Sequence, residues 1–149
     1  MSLMLRSATF SDAPVFERIF LSHLEQMVTD AGSPARERLR TQHTAQQFLS
    51  RLQQGWLGIV VEQQDRVAGF LMLRPPTHLF SLYVAAEQVG SGIGTVLLQA
   101  LFEQMPQSVI TVNSSVRAET FYRRHGFEPS DTWQINDGLR YLPMQRPLR

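Results

Sequence analysis

The sequence predicts a single α+β domain over residues 1–149, built on a central, mostly antiparallel and twisted sheet. Strand-like runs alternate with helix-periodic runs along the whole chain, with no internal repeat and no break in composition. The chain has 149 residues, 43% of them hydrophobic, which suits one core and leaves too few residues for two full domains. We expect about six to seven strands flanked by about four helices, in the order β-α-α-β-β-β-α-β-α-β-β.

The chain is predicted to begin with one strand and two helices. Residues 3–8 have the composition of a strand, and the run Ser11-Asp12-Ala13-Pro14 begins a helix with a capping hydroxyl, an early acid and a first-turn proline. Its apolar residues recur at three- and four-residue spacing as far as Gly32. Thr44 caps a second, shorter helix that ends before Gly55.

Three strands are predicted in the middle of the chain. The runs 56–62 and 67–73 are joined by a short polar spacer, which is typical of an antiparallel hairpin. Residues 77–84 follow Pro75-Pro76 and form the third strand. Strand alternation is expected to place four of its side chains on one face: His78, Phe80, Leu82 and Val84. Residues 33–43 are polar and rich in Arg, and no element is assigned to them.

The last third of the chain is predicted to contain two helices and two further strand regions. A glycine-rich turn at 90–94 leads into a helix with apolar periodicity. Residues 109–112 form a β run, and residues 115–125 form a helix that Gly126 ends. Residues 133–144 have enough β-formers for a closing strand, whose edge would be available to a homodimer.

Composition excludes several functional classes. The formal charge is only +1, so no dense basic face is expected and a nucleic-acid partner is not predicted. The chain has no Cys, which rules out a thiolate nucleophile and Cys-ligated zinc and agrees with a cytoplasmic location. No run approaches the roughly 20 apolar residues that cross a bilayer, so no membrane association is expected. The sequence shows neither a His cluster nor paired carboxylates, so no metal site is predicted.

The glycine-rich turn has the composition of an anion site. Glycines let the backbone approach a ligand closely, and the unpaired N–H groups of a first helical turn attract negative charge. A dinucleotide fingerprint would need its third glycine one residue later, and a nucleotide P-loop needs a Lys, which this chain lacks. A different pyrophosphate ligand and a merely flexible turn both remain open.

A second block, residues 110–127, has the pattern of a strand followed by an N-cap and a helix that a glycine ends. Ser114 or Ser115 serves as the cap, and Ala118 and Tyr122 lie one turn apart on one face of the helix. A helical Tyr is usually a core residue, so this block alone does not assign a role to the phenol.

Together the two blocks resemble the GNAT superfamily of acyl-CoA-dependent N-acyltransferases. The family's Leu-x-Val and Gln/Arg-x-x-Gly-x-Gly/Ala element is similar to Leu82-Tyr83-Val84 followed by residues 89–94, and its Asn-x-x-Ala-x-x-Phe-Tyr-x-x-x-Gly-Phe element is similar to residues 115–127. The resemblance is firm over residues 77–127 and rests on element order over 3–73. Val89 stands where the family often has Gln or Arg, and Ser115 stands where it often has Asn.

The resemblance implies a GNAT-like domain that transfers an acetyl group from acetyl-CoA to a primary amine of a small molecule or protein. It implies that pantetheine pairs with the strand at 82–84, that the pyrophosphate rests on N–H groups between Gly90 and Thr95, and that no metal takes part. The implied coenzyme-binding residues are Leu82, Tyr83, Val84, Val89, Gly90, Ser91, Gly92, Ile93, Gly94, Thr95, Asn113, Ser115 and Ala118.

Acetyl transfer to an amine needs a general acid for the leaving thiolate and a base for the amine. Tyr122 is the predicted acid, because a phenol is protonated at neutral pH. His78 is the predicted base, with a structural role as the equally weighted alternative. His23, His43 and Glu25 are lesser base candidates that otherwise face solvent.

Two groups of arginines have open roles. Arg117, Arg123 and Arg124 either reach the ribose phosphate of the coenzyme or form a solvated helix face. Arg36, Arg38 and Arg40 either favour an anionic acceptor or face water. Two other functions also stay open: a catalytically silent acyl-CoA sensor, and an interaction module that has lost the ligand.

Overall fold

The computed structural model describes residues 2–28 and 33–148. In this part of the chain eight strands form one sheet in the order β1-β2-β3-β4-β5-β8-β6, with β7 also paired to β8. The strands are β1 (Leu3–Ser7), β2 (Leu57–Gln63), β3 (Arg66–Arg74), β4 (His78–Val84), β5 (Ile110–Ser115), β6 (Glu128–Pro129), β7 (Gln134–Asn136) and β8 (Leu139–Arg146). Every pairing is antiparallel except that of β4 with β5.

Five α-helices in the described residues cover the sheet on both faces. They are α1 (Ala13–Met27), α2 (Pro34–Gln42), α3 (Ala45–Gln53), α4 (Ile93–Gln104) and α5 (Glu119–Arg124). Within the same residues, every helix is too short or too polar to cross a membrane.

Apolar side chains alternate along the central strands and build a separate core on each face. On one face, Phe16 of α1 stacks on Phe70 of β3 with ring centroids 4.0 Å apart. On the other face, Leu97 and Leu101 of α4 are fully buried against Leu71. Because β2 and β3 are covered on both sides, they are apolar at almost every position, and full burial of each such side chain stabilises the fold by about 1.5–3 kcal/mol.

The predicted α+β class and the mostly antiparallel sheet are confirmed. Helix α2 was not predicted; its first turn is capped by the Ser33 hydroxyl, which accepts a hydrogen bond from the Ala35 N–H at 3.2 Å. The two-residue strand β6 was not predicted either. The predicted boundary between strand and helix was wrong near Ser115, because β5 continues to that residue and α5 begins only at Glu119.

The predicted free edge on the closing strand is wrong. β8 pairs with β5 along one side and with β6 and β7 along the other, so β8 lies inside the sheet.

Candidate active site

A cleft of about 680 Å³ opens where β4 and β5 separate. The two parallel strands pair only at His78 with Thr111 and at Leu79 with Val112, and no pairing continues beyond Leu79. The rest of β4 therefore keeps backbone polar groups along its β5 side that no strand uses. Such an unpaired strand edge accepts an extended, amide-containing ligand in the manner of an added strand.

The cleft gathers nearly all of the predicted coenzyme residues. Ser91 is the exception among those predicted, because its N–H donates to the Gln88 carbonyl at 3.1 Å and its hydroxyl donates to the same oxygen. The predicted residues that line the cleft are Leu82, Tyr83, Val84, Val89, Gly90, Gly92, Ile93, Gly94, Thr95, Asn113, Ser115 and Ala118.

The loop before α4 presents a helix N-terminus to the cleft. Gly92 caps the helix in the left-handed region, with φ 88°, and a Cβ placed there would meet no atom within 4 Å. The first bond of the helix runs from the Val96 N–H to the Gly92 carbonyl, so the N–H groups of Ile93, Gly94 and Thr95 precede it. These donors and the helix dipole attract negative charge, and the pyrophosphate site at this loop remains a prediction.

α4 and α5 are held together at the same end of the cleft. A Cβ added to Gly94 would lie 3.1 Å from the Phe121 ring, so a larger residue there would require the ring to move by a few tenths of an ångström. His125 completes the contact, with Nδ1 2.8 Å from the Phe121 carbonyl and Nε2 3.1 Å from the Thr95 hydroxyl. Because the carbonyl only accepts, Nδ1 is the donor and Nε2 receives the Thr95 proton.

Tyr122 lies in the cleft wall, and its role as the general acid remains a prediction. Its N–H donates to the Ala118 carbonyl at 3.0 Å, and its ring packs against Phe121 and Phe127. Burial, with a smaller contribution from the neighbouring Tyr83 phenol, raises the pKa of Tyr122 above its ordinary value. The phenol therefore stays protonated across the neutral range and is available as a donor.

His78 was predicted to share a face with Leu82 and Val84, and this prediction is wrong. A bulge shifts the register, so that Met72 and Leu73 of β3 face Ser81 and Leu79 of β4. The extra residue, Phe80, reverses the alternation. His78 instead bonds the Thr111 hydroxyl at 2.8 Å and is not among the residues that line the cleft.

Burial and the nearby Arg74 charge lower the pKa of His78. A lowered pKa keeps the ring neutral at pH 7, the form that can accept a proton. Its role as base remains a prediction.

His23 is the lesser base candidate that the structure brings into the cleft. It projects from α1, and its Nε2 lies 2.6 Å from the Val84 carbonyl oxygen. The other two lesser candidates are used elsewhere: Glu25 pairs with Arg36, and His43 is enclosed in the core.

His43 belongs to an aromatic stack that sequence analysis did not find. Its ring stacks on Phe20 at 4.0 Å and on Phe80 at 5.3 Å, and its Nδ1 donates to the Leu39 carbonyl at 2.6 Å. Burial lowers the pKa of His43 to about 4, so the ring is neutral at pH 7. The sequence signal for this stack is the spacing of aromatic residues around 43–56 and at 80, and such spacing alone indicates only a buried core.

The structure places the two groups of arginines differently. Arg117 and Arg124 line the cleft, whereas Arg123 pairs with Glu119 at 2.7 Å on the helix surface. The three arginines near α2 are used in ion pairs, which are Arg36 with Glu25, Arg38 with Asp137 and Arg40 with Glu37.

Comparison with known proteins decides the family. Residues 22–148 match the family model described as the acetyltransferase (GNAT) domain. The chain belongs to this GNAT family. The peptidyl-lysine N-acetyltransferase YjaB of Escherichia coli is 27% identical over 89 residues, which are 59% of this chain and 60% of that protein. The chain thus spans about 60% of the length of the curated relatives it matches.

Solved structures of GNAT proteins share the whole fold. A GCN5-related N-acetyltransferase from Rhodopseudomonas palustris has a TM-score of 0.80 and 25% identity, covering 99% of this chain and 97% of that one. The PaiA N-acetyltransferase of Thermoplasma acidophilum, solved with coenzyme A, has a TM-score of 0.77 and 17% identity over 98% and 99% of the two chains. The apo form of E. coli YjaB also has a TM-score of 0.77, with 18% identity over the full length of both chains.

Proposed function

We propose that this GNAT protein is an N-acetyltransferase that transfers the acetyl group of acetyl-CoA to a primary amine by direct attack. The observation that carries the proposal is the position of Tyr122 in the wall of a cleft that has an unpaired strand edge along β4 and a glycine-capped helix N-terminus at its end. These features fit the three parts of the donor: a pantetheine arm, a pyrophosphate and a thioester sulfur.

The residues supply binding and proton transfer, while acetyl-CoA supplies the activated acyl group. Backbone groups at Leu82–Val84 hold the pantetheine arm and polarise the thioester carbonyl. The first-turn N–H groups of α4 hold the pyrophosphate. Arg117 and Arg124 are placed for the phosphate of the ribose.

The neutral amine attacks the thioester carbonyl carbon, and the carbon–sulfur bond then breaks. Tyr122 gives its proton to the departing thiolate, and the attacking nitrogen loses one proton to a base, so that an amide and free coenzyme A result. His23, which lines the cleft, and His78, which borders its closed end, are the two proposed bases. A buried Tyr122 regains its proton from solvent between turnovers.

The acceptor is proposed to be a protein or small-molecule amine. The match to a relative named as a peptidyl-lysine N-acetyltransferase supports an amine of lysine type. Calorimetric titration with acetyl-CoA, followed by an amine screen for thiol release, tests the proposal. Binding with amine-dependent release of thiol is expected.

Two results would contradict this function. Binding of acetyl-CoA without thiol release from any amine would indicate the sensor alternative. Absence of both binding and thermal stabilisation by acetyl-CoA would indicate an interaction module.

A further inference from the structure

The guanidinium of Arg51 lies inside a cage of three aromatic rings. Arg51 is in the last turn of α3, and its Cζ lies 5.6 Å from the ring centroid of Phe48, 5.4 Å from that of Trp56 and 4.4 Å from that of Phe80. Trp56 and Phe80 also meet edge to face at 5.4 Å. Rings at these distances attract a cation through their π faces, but they supply no negative charge.

No carboxylate pairs with Arg51 anywhere in residues 2–28 and 33–148. Its Nη1 atom is buried and has no hydrogen-bond partner. Five other arginines in these residues have an acid, namely Arg6, Arg36, Arg38, Arg40 and Arg123. A guanidinium stays charged at neutral pH even though burial lowers the pKa of Arg51, so the cage holds an uncompensated positive charge.

Phe80 connects this cage to the active-site cleft. Phe80 is one of the residues that line the cleft, and its ring contacts the Arg51 guanidinium. Phe80 is the bulge residue of β4, directly after the last pairing with β5, so it lies where the two strands begin to separate. The cage therefore adjoins the cleft through Phe80, and an amine must enter this cleft to reach a thioester.

We propose that this cage is an anion subsite of the acceptor, in which Arg51 binds a carboxylate and Trp56 and Phe80 contact the adjoining apolar part. The proposal rests on the function proposed above and names its substrate class: amines that carry a carboxylate, either free amino acids or peptides with an acidic group near the amine. A single guanidinium matches the single charge of a carboxylate and binds both of its oxygens. His43, which stacks on the same Phe80 ring, is neutral and adds no second charge for a phosphate.

Matched acceptors test the subsite. L-lysine is compared with 1,5-diaminopentane, which has the same chain and amine but no carboxylate, and a lysine peptide with a neighbouring Asp is compared with its Asn counterpart. The wild-type protein is expected to favour the carboxylate member of one pair roughly tenfold or more in kcat/KM, mainly through KM. The favoured pair distinguishes a free amino acid from a peptide.

The variant Arg51→Gln is expected to reduce that ratio to about one, and Arg66→Gln, a change at an exposed arginine in the β2–β3 region, is expected to keep it. Equal rates for both members of both pairs in the wild-type protein would overturn the subsite and leave the acetyltransferase proposal intact. A ratio that Arg51→Gln leaves unchanged would do the same. Failure of the wild-type protein to bind acetyl-CoA or to acetylate any amine would overturn both proposals.

A measurement on the wild-type protein covers the case in which Arg51→Gln does not fold. Hexanoate is expected to inhibit competitively against the amine, and hexanamide, which lacks the charge, is not. Equal inhibition by the two compounds, or inhibition by neither, would overturn the assignment of Arg51.

Discussion

The Nε2 atom of His23 on α1 lies 2.6 Å from the carbonyl oxygen of Val84, at the end of β4. A carbonyl oxygen only accepts, so the neutral ring donates from Nε2 and keeps its lone pair on Nδ1. The bond ties the first helix to the strand that borders the cleft. It also places the His23 imidazole in the cleft wall, whereas His78 is bonded through Nδ1 to Thr111 and does not line the cleft.

We therefore expect His23 to remove the proton from the acceptor. The variant His23→Ala should lower kcat/KM roughly 100-fold, because a positioned base contributes about that factor. His78→Ala serves as the comparison and should keep kcat/KM close to that of the wild-type protein. A loss of about 100-fold in His78→Ala, with little change in His23→Ala, would return the role to His78.

Tyr122→Phe tests the general acid. A positioned acid contributes about 100-fold or more, so kcat should fall by at least that factor while the affinity for acetyl-CoA changes little. Burial raises the pKa of Tyr122, so the phenol keeps its proton as the pH rises above neutral and loses it only at a pH above the ordinary value for tyrosine. Its deprotonation should therefore produce no basic limb between pH 7 and about pH 9.

Tyr141→Phe on β8 provides the control for this substitution, because it removes a phenol that does not line the cleft. If the Tyr122 and Tyr141 variants retain equal turnover, Tyr122 has only a packing role.

Gly92→Ala and Gly55→Ala form a matched pair. Both glycines have φ near +90°, and a Cβ at either position meets nothing within 4 Å. Each substitution should destabilise the fold by about 1–2 kcal/mol through backbone strain alone. Only Gly92 lines the cleft, so only Gly92→Ala should weaken acetyl-CoA binding as measured by calorimetry. Equal coenzyme affinity in the two variants would place the pyrophosphate away from this loop.

The parts of the fold that could be predicted are those with a periodic apolar pattern or a defined cap. The N-cap residue Thr44 predicted α3, and its hydroxyl does accept a hydrogen bond from the Gln47 N–H at 3.1 Å. α2 has the same kind of start at Ser33-Pro34, but it buries only Ala35 and has no apolar stripe, so periodicity gave no signal.

The parts of the site that could not be predicted depend on long-range geometry. The glycine loop and Tyr122 lie in contiguous motifs, and all of the predicted loop residues except Ser91 line the cleft together with Tyr122; their roles stay predictions. The face of His78 depends on a bulge that only the pairing of β3 with β4 reveals. The cage around Arg51 joins residues of α3 and β4 with Trp56, which lies just before β2, and no local pattern brings Phe80 to the other residues.

Asp12 should make stability depend on pH. Burial raises the pKa of this carboxyl, but hydrogen bonds from Arg6 and from the Thr9 N–H lower it more, so the net pKa lies below its ordinary value. A lowered folded-state pKa stabilises the protein above the unfolded pKa of about 3.9, and this contribution is lost as the pH falls through the folded-state value.

Asp12→Asn should therefore lower the free energy of unfolding by about 1–3 kcal/mol at pH 7, and the difference should shrink below about pH 4. Urea denaturation at the two pH values measures this, with exposed Asp131→Asn as the control. A constant difference at all pH values would show that the effect is one of packing alone.

Arg38 of α2 pairs with Asp137 in the turn between β7 and β8, and the Ser33 hydroxyl donates to the Asp137 carbonyl at 3.4 Å. α2 packs on α1, which contacts β4, while β8 pairs with β5. The contact therefore links the two sides of the sheet that separate at the cleft. We expect an acceptor to approach the cleft beside this link.

Breaking the pair should affect the acceptor more than the fold. Both side chains are partly exposed, so Arg38→Gln or Asp137→Asn should change the free energy of unfolding by less than about 1 kcal/mol. Either change should alter the KM for the amine severalfold and leave the KM for acetyl-CoA nearly constant, because neither residue lines the cleft beside the glycine loop that we propose holds the coenzyme. The double variant should match the single ones if the pair acts as a unit. Arg40→Gln removes an ion pair within α2 and should leave both constants unchanged; an equal effect there would assign the change to the charge of α2 and not to the link.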